Sequence, residues 1–241
     1  MTARQIIIAR RFCGPPESGN GGYVAGLLAK AMPTDSQITL HAPPPLDTPL
    51  DLLPAANGMQ LRHEGRLLAS VRPHQFELQV PPPPSYGEAE VAETRFEGIV
   101  RHDLPGCFVC GTNRQPYDGL RIFTGPMAER PSHVAAIWCP DTTLVNEAGD
   151  VASEFLWAAL DCPGFFAVRP ISGPALLGRF SARILQQTRP GEPLLVLGWP
   201  LRHDGRKHNA GTALYRLDGS IVGYDDATWI SIARTATPED T

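Results

Sequence analysis

The sequence has no long hydrophobic run. No apolar stretch approaches the roughly 20 residues of a membrane-crossing helix. The opening "MTARQIIIARRF" puts two arginines after a three-residue apolar run, unlike the core of a signal peptide. Charge is sparse too: 19% of the 241 residues are charged, with a formal net charge of −4 and no basic excess. Nucleic-acid binding needs a basic face, so no nucleic-acid partner is expected. Cysteine is scarce and odd in number: Cys13, Cys107, Cys110, Cys139 and Cys162. That count, in a chain of this length, argues against a secreted disulfide framework. The expectation is a soluble, cytoplasmic protein with no membrane span.

Proline, in contrast, is abundant at 25 residues, and it concentrates in "VPPPPSYGEAEVAE", Val80 to Glu93. This stretch reads as a polyproline-like connector between two halves. The hexapeptide "LRHEGR", Leu61 to Arg66, recurs as "LRHDGR", Leu201 to Arg206. Each half also holds an apolar helix-like run, Gly22 to Met32 and Val151 to Leu160, with extended segments on either side. "QIIIARRF" precedes the first; "GLRIFTG" and "HVAAIWCP" precede the second. "LLASVRP", "NAGTALYRLDG" and "GYDDATWISIAR" read as later strands. Turns at Glu64-Gly65, Asp204-Gly205 and Asp218-Gly219 suit hairpins. A helix wrapped by an antiparallel sheet, twice over, is an α+β arrangement.

"GNGGYVAGLLAK", Gly19 to Lys30, crowds glycines before and inside a helix. A glycine in a helix interior costs roughly 1 kcal/mol. A helix N-terminus exposes unpaired N–H groups and partial positive charge, and glycine lets a ligand approach them closely. Gly21 and Gly22 could therefore stabilise an oxyanion, with Asn20 as helix cap or as a hold on substrate or water. The plainer alternative is a cap and a tight turn only. Asp161 ends the run "FLWAALD" and precedes Cys162-Pro163-Gly164. A carboxylate in apolar surroundings has a raised pKa and can act as base or nucleophile; otherwise it is an acid at a helix end reaching solvent. Glu154, seven residues earlier, shares its helical face and is either a second acid or an offset to the helix dipole.

"CFVCG" (Cys107 to Gly111), "DGLRIF" (Asp118 to Phe123), "VAAIWCP" (Val134 to Pro140) and "VASEFLWAALD" (Val151 to Asp161) follow one another in an order that resembles the hotdog-fold thioesterase superfamily, PaaI-like type. "NGGYVAGLLAKA" is similar to the opening of the first hotdog in TesB-like acyl-CoA thioesterases. The resemblance implies a double hotdog: two repeats, each with a long helix wrapped by an antiparallel β-sheet. The boundaries expected are 1–84 for the first repeat, 85–104 for a Pro-rich connector and linking strand, and 105–241 for the second. The family's H-G-G is Asn20-Gly21-Gly22 in the first half but Ala152-Ser153-Glu154 in the second. Its acid is Ala29 in the first half and Asp161 in the second. The resemblance thus implies a single composite site, Asn20, Gly21 and Gly22 facing Asp161, that hydrolyses an acyl-CoA-type thioester. The alternative is a non-catalytic acyl-CoA or lipid binding protein with a degenerate site. A hydratase ranks lower, because no histidine follows Asp161 until His203.

Coenzyme A would enter only as part of the substrate, and no other cofactor is expected. A homodimer of double hotdogs is possible within the family. Glu154, Arg206 and Lys207 are weaker substrate-binding candidates, the two cations for coenzyme A phosphates if they are not simply a solvated hairpin. Cys107 and Cys110 could be half a zinc site. The possible completing ligands His102, His133, Cys139 and Cys162 stand at no recognisable spacing, so no metal is expected.

Overall fold

The computed structural model describes residues 3–232. Eleven strands form one sheet in the order β1-β3-β4-β5-β2-β8-β11-β10-β9-β7-β6, and the pairings are antiparallel. The first half comprises β1 (Arg4–Ile7), α1 (Gly21–Ala29), β2 (Ser36–Leu40), β3 (Pro49–Ala55), β4 (Gly58–His63) and β5 (Arg66–Pro73). Then come α2 (Tyr86–Glu93), β6 (Gly125–Pro126), β7 (Val134–Trp138), α3 (Ser153–Ser172), β8 (Ala175–Ile184), β9 (Leu194–Asp204), β10 (Lys207–Tyr215) and β11 (Ile221–Ser231). Apart from the two-residue β6, the order reads alike from either edge. The strand before each long helix is outermost, and the strand after it lies at the centre. There β2 meets β8 through Gln37↔Ser181, Ile38↔Phe180 and Thr39↔Arg179.

This topology changes what the repeated hexapeptide means. Leu61–Arg66 turns between the third and fourth strands after α1, whereas Leu201–Arg206 turns between the second and third strands after α3. The counterpart of the first turn is the one at Asp218-Gly219, between β10 and β11. The two hexapeptides are similar because both serve a tight hairpin, which places a glycine, Gly65 or Gly205, at positive φ. They are not equivalent positions of a repeat.

Other expectations shift as well. The extended segment after β5 runs over the outer sheet face, where Tyr215 Oη donates to Pro81 O at 2.5 Å. The linking strand expected within 85–104 is a helix instead. Ser85 caps α2, accepting from Glu88 N, while the Glu88 carboxylate returns to Ser85 N in a capping box. α2 packs chiefly on β7 and touches β9, whose Leu195, Leu197 and Trp199 lie in one apolar cluster with Ala89 and Ala92 of α2, while Leu194 and Val196 belong to the main core. Adjacent strand residues point to opposite faces, so β9 is buried on both. "GLRIFTG" is irregular up to Gly125, and the last residues of "GYDDATWISIAR" lie outside the described residues. The second long helix does not stop near Leu160. It continues through Pro163 to Ser172, so Asp161 is mid-helix rather than at an end.

α1 and α3 lie on the inner sheet face and cross at the glycines of α1. A Cβ on Gly22 would stand 2.6 Å from Asp161 Cβ, and one on Gly26 would stand 2.6 Å from Glu154 Cα. The helix-weakening glycines are thus set one turn apart, where another residue would force the helices apart. Gly26→Ala should lower stability by about 1–3 kcal/mol through overpacking, read as a lower urea midpoint with unchanged slope.

Candidate active site

The first turn of α1 has four N–H groups to satisfy. Tyr23 N donates to the cap, Asn20 Oδ1, at 2.9 Å. Val24 N donates to Asn20 O at 3.0 Å. Gly22 N donates to Asp161 Oδ2 at 2.9 Å. Gly21 N has no acceptor among the described residues, and Gly21 lines a cavity of about 590 Å³.

Asn20 has two roles. Its carbonyl oxygen caps the helix, and its amide nitrogen Nδ2 donates to Asp161 Oδ2 at 2.8 Å. One oxygen of Asp161 is therefore held by two donors from α1. The other, Oδ1, is buried with no partner, and Asp161 also lines the cavity. The residue is 2% exposed. Burial pushes its pKa from 3.8 to about 7, Gly22 N–H and Asn20 oppose the rise, and the neighbouring Cys107 adds to it. Near neutral pH the carboxyl therefore exchanges its proton freely, as a general base requires.

The same cavity reaches between α3 and the strands β8 and β11, past Phe165, Phe166, Leu176, Leu177 and Trp229. Its rim is fixed by Arg169, which pairs with Glu97 and, at 3.1 Å, with Asp103. The loop carrying Cys107 and Cys110 is pinned from several sides. Phe108 N donates to Cys13 O at 2.7 Å, Leu120 N to Phe108 O at 2.8 Å, and Ile122 N to Val109 O at 2.9 Å. The Phe108 ring packs edge-on against Phe12, at 5.1 Å between centroids.

The structure brings Asn20, Gly21, Gly22 and Asp161 together from residues about 140 apart in sequence. It corrects their arrangement in one respect: Gly22 N–H is occupied by the acid, which leaves Gly21 N–H as the unengaged donor. The weaker candidates lie elsewhere. Glu154 pairs with Lys30 Nζ at 2.5 Å and does not line the cavity. Arg206 is on the exposed β9–β10 turn, where its Nε donates to Ser231 O at 3.0 Å. Lys207, next to it, is exposed. Neither cation lines the cavity, although Ser231, which Arg206 holds, is followed by cavity-lining Ile232. His63 and His203 also sit on hairpin strands away from the cavity.

His102, weighed in the sequence only as a possible zinc ligand, lines the cavity, with Nε2 2.9 Å from Cys110 O. Sequence reasoning missed buried Asp225, whose Oδ1 accepts from Thr212 N at 2.5 Å. No periodicity marks that residue.

The fold can be compared with solved structures. A Thermobifida fusca YX protein, provisionally named a thioesterase II, superposes with a TM-score of 0.62 over 97% of this chain and 93% of its own, at 14% identity. The tesB protein of Mycobacterium avium subsp. paratuberculosis gives 0.63 over 96% and 94%, at 12% identity. The fold is of the hotdog type. A provisionally named thioesterase of Novosphingobium aromaticivorans shares the hotdog-type fold with a TM-score of 0.61, covering 96% of both chains at 13% identity. No protein-family model matches the sequence, and no curated protein is similar to it at a significant level. Among the described residues no helix is long and apolar enough to cross a membrane.

Proposed function

We propose that the chain is a tandem pair of hotdog units that hydrolyses an acyl-CoA-type thioester at one composite site. The single observation that carries the reading is the unpartnered Asp161 Oδ1, with two donors holding the other oxygen, on a residue that lines one cavity together with Gly21, whose N–H is free. The apolar stretch beyond it, at Phe165, Leu176 and Leu177, suits an acyl chain. The three solved thioesterase-like structures share the fold and add to the case for a thioester.

In this reading the thioester carbonyl oxygen accepts from Gly21 N–H. Helix-terminal amides of this kind contribute about 2.7–4 kcal/mol to the stabilisation of a developing oxyanion. Asp161 Oδ1 takes the proton of a water that attacks the carbonyl carbon, or attacks the carbon itself to form an anhydride that water then opens. Either way the carbon–sulfur bond breaks, and the thiol leaves with a proton.

Only the ionised Asp161 can act. Its carboxyl is raised, so ionisation grows as pH climbs through about 7. With chelator present, kcat/KM should rise with pH, reach half its maximum near that value and level off above it. A flat profile contradicts the assignment. The reading itself is tested by thiol release from a panel of acyl-CoAs of graded chain length. Release from at least one member is expected. Tight binding with no release from any member supports a binding protein instead.

A further inference from the structure

The "CFVCG" loop does more than close the core. Cys107 and Cys110 come from that loop, and Cys162 comes from α3, directly after Asp161. The three sulfurs lie within 4.8 Å of one another and all three residues are buried. Cys107 Sγ and Cys162 Sγ are 3.7 Å apart. Four ligands around zinc with metal–sulfur bonds of about 2.3 Å put neighbouring sulfurs about 3.8 Å apart. The Cys107–Cys162 separation matches one edge of such a tetrahedron, and Cys110 Sγ lies within 4.8 Å of both.

Two further observations bear on the cluster. Asn20 Nδ2 approaches Cys107 Sγ at 3.9 Å, a polar group set beside a candidate ligand atom. Independently, Asp161, whose Oδ1 is buried without a partner, lines the same cavity as all three cysteines.

We infer that Cys107, Cys110 and Cys162 form a three-thiolate site for Zn²⁺ whose fourth corner faces the cavity at Asp161. The sequence separates Cys162 from the C-x-x-C pair by 52 residues or more, and only the packing of α3 against the loop closes the set. Soft thiolates and compact tetrahedral spacing select zinc over calcium or magnesium, which take oxygen ligands. Cys139 is exposed and Cys13 is not part of the cluster, so each serves as an internal control.

The test uses the full chain purified under reductant without chelator, with zinc measured by mass spectrometry. Cobalt titration then reports thiolate ligation through its charge-transfer absorption. We expect one zinc per chain and a thiolate–cobalt band. Cys162→Ser and Cys110→Ser should weaken metal binding by at least about 100-fold, while Cys139→Ser leaves it unchanged. Circular dichroism and melting of each variant identify any that fails to fold. Asp161→Asn should keep both the zinc and the cobalt band, because the three thiolates remain. Protein that holds no zinc after incubation with excess metal and desalting overturns the inference. So does a cobalt spectrum without a thiolate band, or equal loss in Cys139→Ser. None of these readouts depends on turnover, so this site and the hydrolytic reading can fail separately.

Discussion

Asp161→Asn should remove turnover and make the protein more stable at alkaline pH. The substitution keeps an acceptor oxygen for Asn20 Nδ2 and Gly22 N, which hold the wild-type carboxylate at 2.8 Å and 2.9 Å. It removes the group that takes a proton or attacks carbon. General-base contributions are typically 10²–10⁴-fold, and kcat should fall by roughly that factor. The stability effect has a defined sign. Because burial raises the native carboxyl from 3.8 to about 7, the folded form keeps a proton that the unfolded chain releases. The resulting penalty is absent below about pH 4, grows between 4 and 7, and is complete above 7. A shift of that size corresponds to about 4 kcal/mol. The stability of Asp161→Asn relative to wild type should therefore improve by about this amount between roughly pH 4 and pH 8, read from urea midpoints in the presence of chelator. An unchanged difference across that range would show that the wild-type carboxyl titrates normally. Loss of activity together with a gain in stability is the pattern expected of a buried functional acid.

Asn20→Asp is the second large effect, and it separates the two roles of this residue. An aspartate caps a helix as well as asparagine does, so the bond from Tyr23 N persists. The donor to Asp161 Oδ2 is lost, and a second carboxyl takes its place at a separation that was 2.8 Å. Like charges this close raise one of the two acids strongly, by roughly 1–3 units. The pH–rate curve should move upward by that amount. Activity at neutral pH should then fall about 10-fold or more, while much of it returns at high pH. If Asn20 is only a cap, the substitution leaves the curve where it was.

Much of the fold could be read from the order of its motifs, because a helix flanked by strands leaves a period and turn residues in the sequence. Some of that reading rested on the wrong sign. The paired hexapeptides suggested two halves, yet they occupy different hairpins, since any tight two-residue turn selects similar residues. Pro163 and Gly164 read as a helix stop, because proline removes an N–H and glycine weakens a helix. The helix nevertheless runs on to Ser172, because packing against β9, β10 and α1 outweighs local propensity. That continuation is what places Asp161 in the core rather than at an end.

The site was legible in part. The glycines after Asn20 signal a helix tip open to close approach, and Asp161 in an apolar run signals a buried acid. Their direct contact was not legible, since it depends on Gly22 letting α3 approach. Nor was the occupation of Gly22 N–H by the acid. Arg206 and Lys207 do not line the cavity, and charge alone does not say which end of a sheet a hairpin occupies. Cys162 was one of four possible partners for Cys107 and Cys110, and nothing in the spacing could single it out, because its meeting with Cys107 is a tertiary contact across 55 residues.

The account stands or falls on where the reacting carbonyl sits. A crystal structure with an acyl-CoA analogue whose thioester sulfur is replaced by methylene tests this directly. The ketone oxygen is predicted to lie about 3 Å from Gly21 N, with the ketone carbon facing Asp161 Oδ1 and the acyl chain running past Leu177. A ligand bound with its ketone away from both α1 and Asp161, whatever its affinity, would contradict the account.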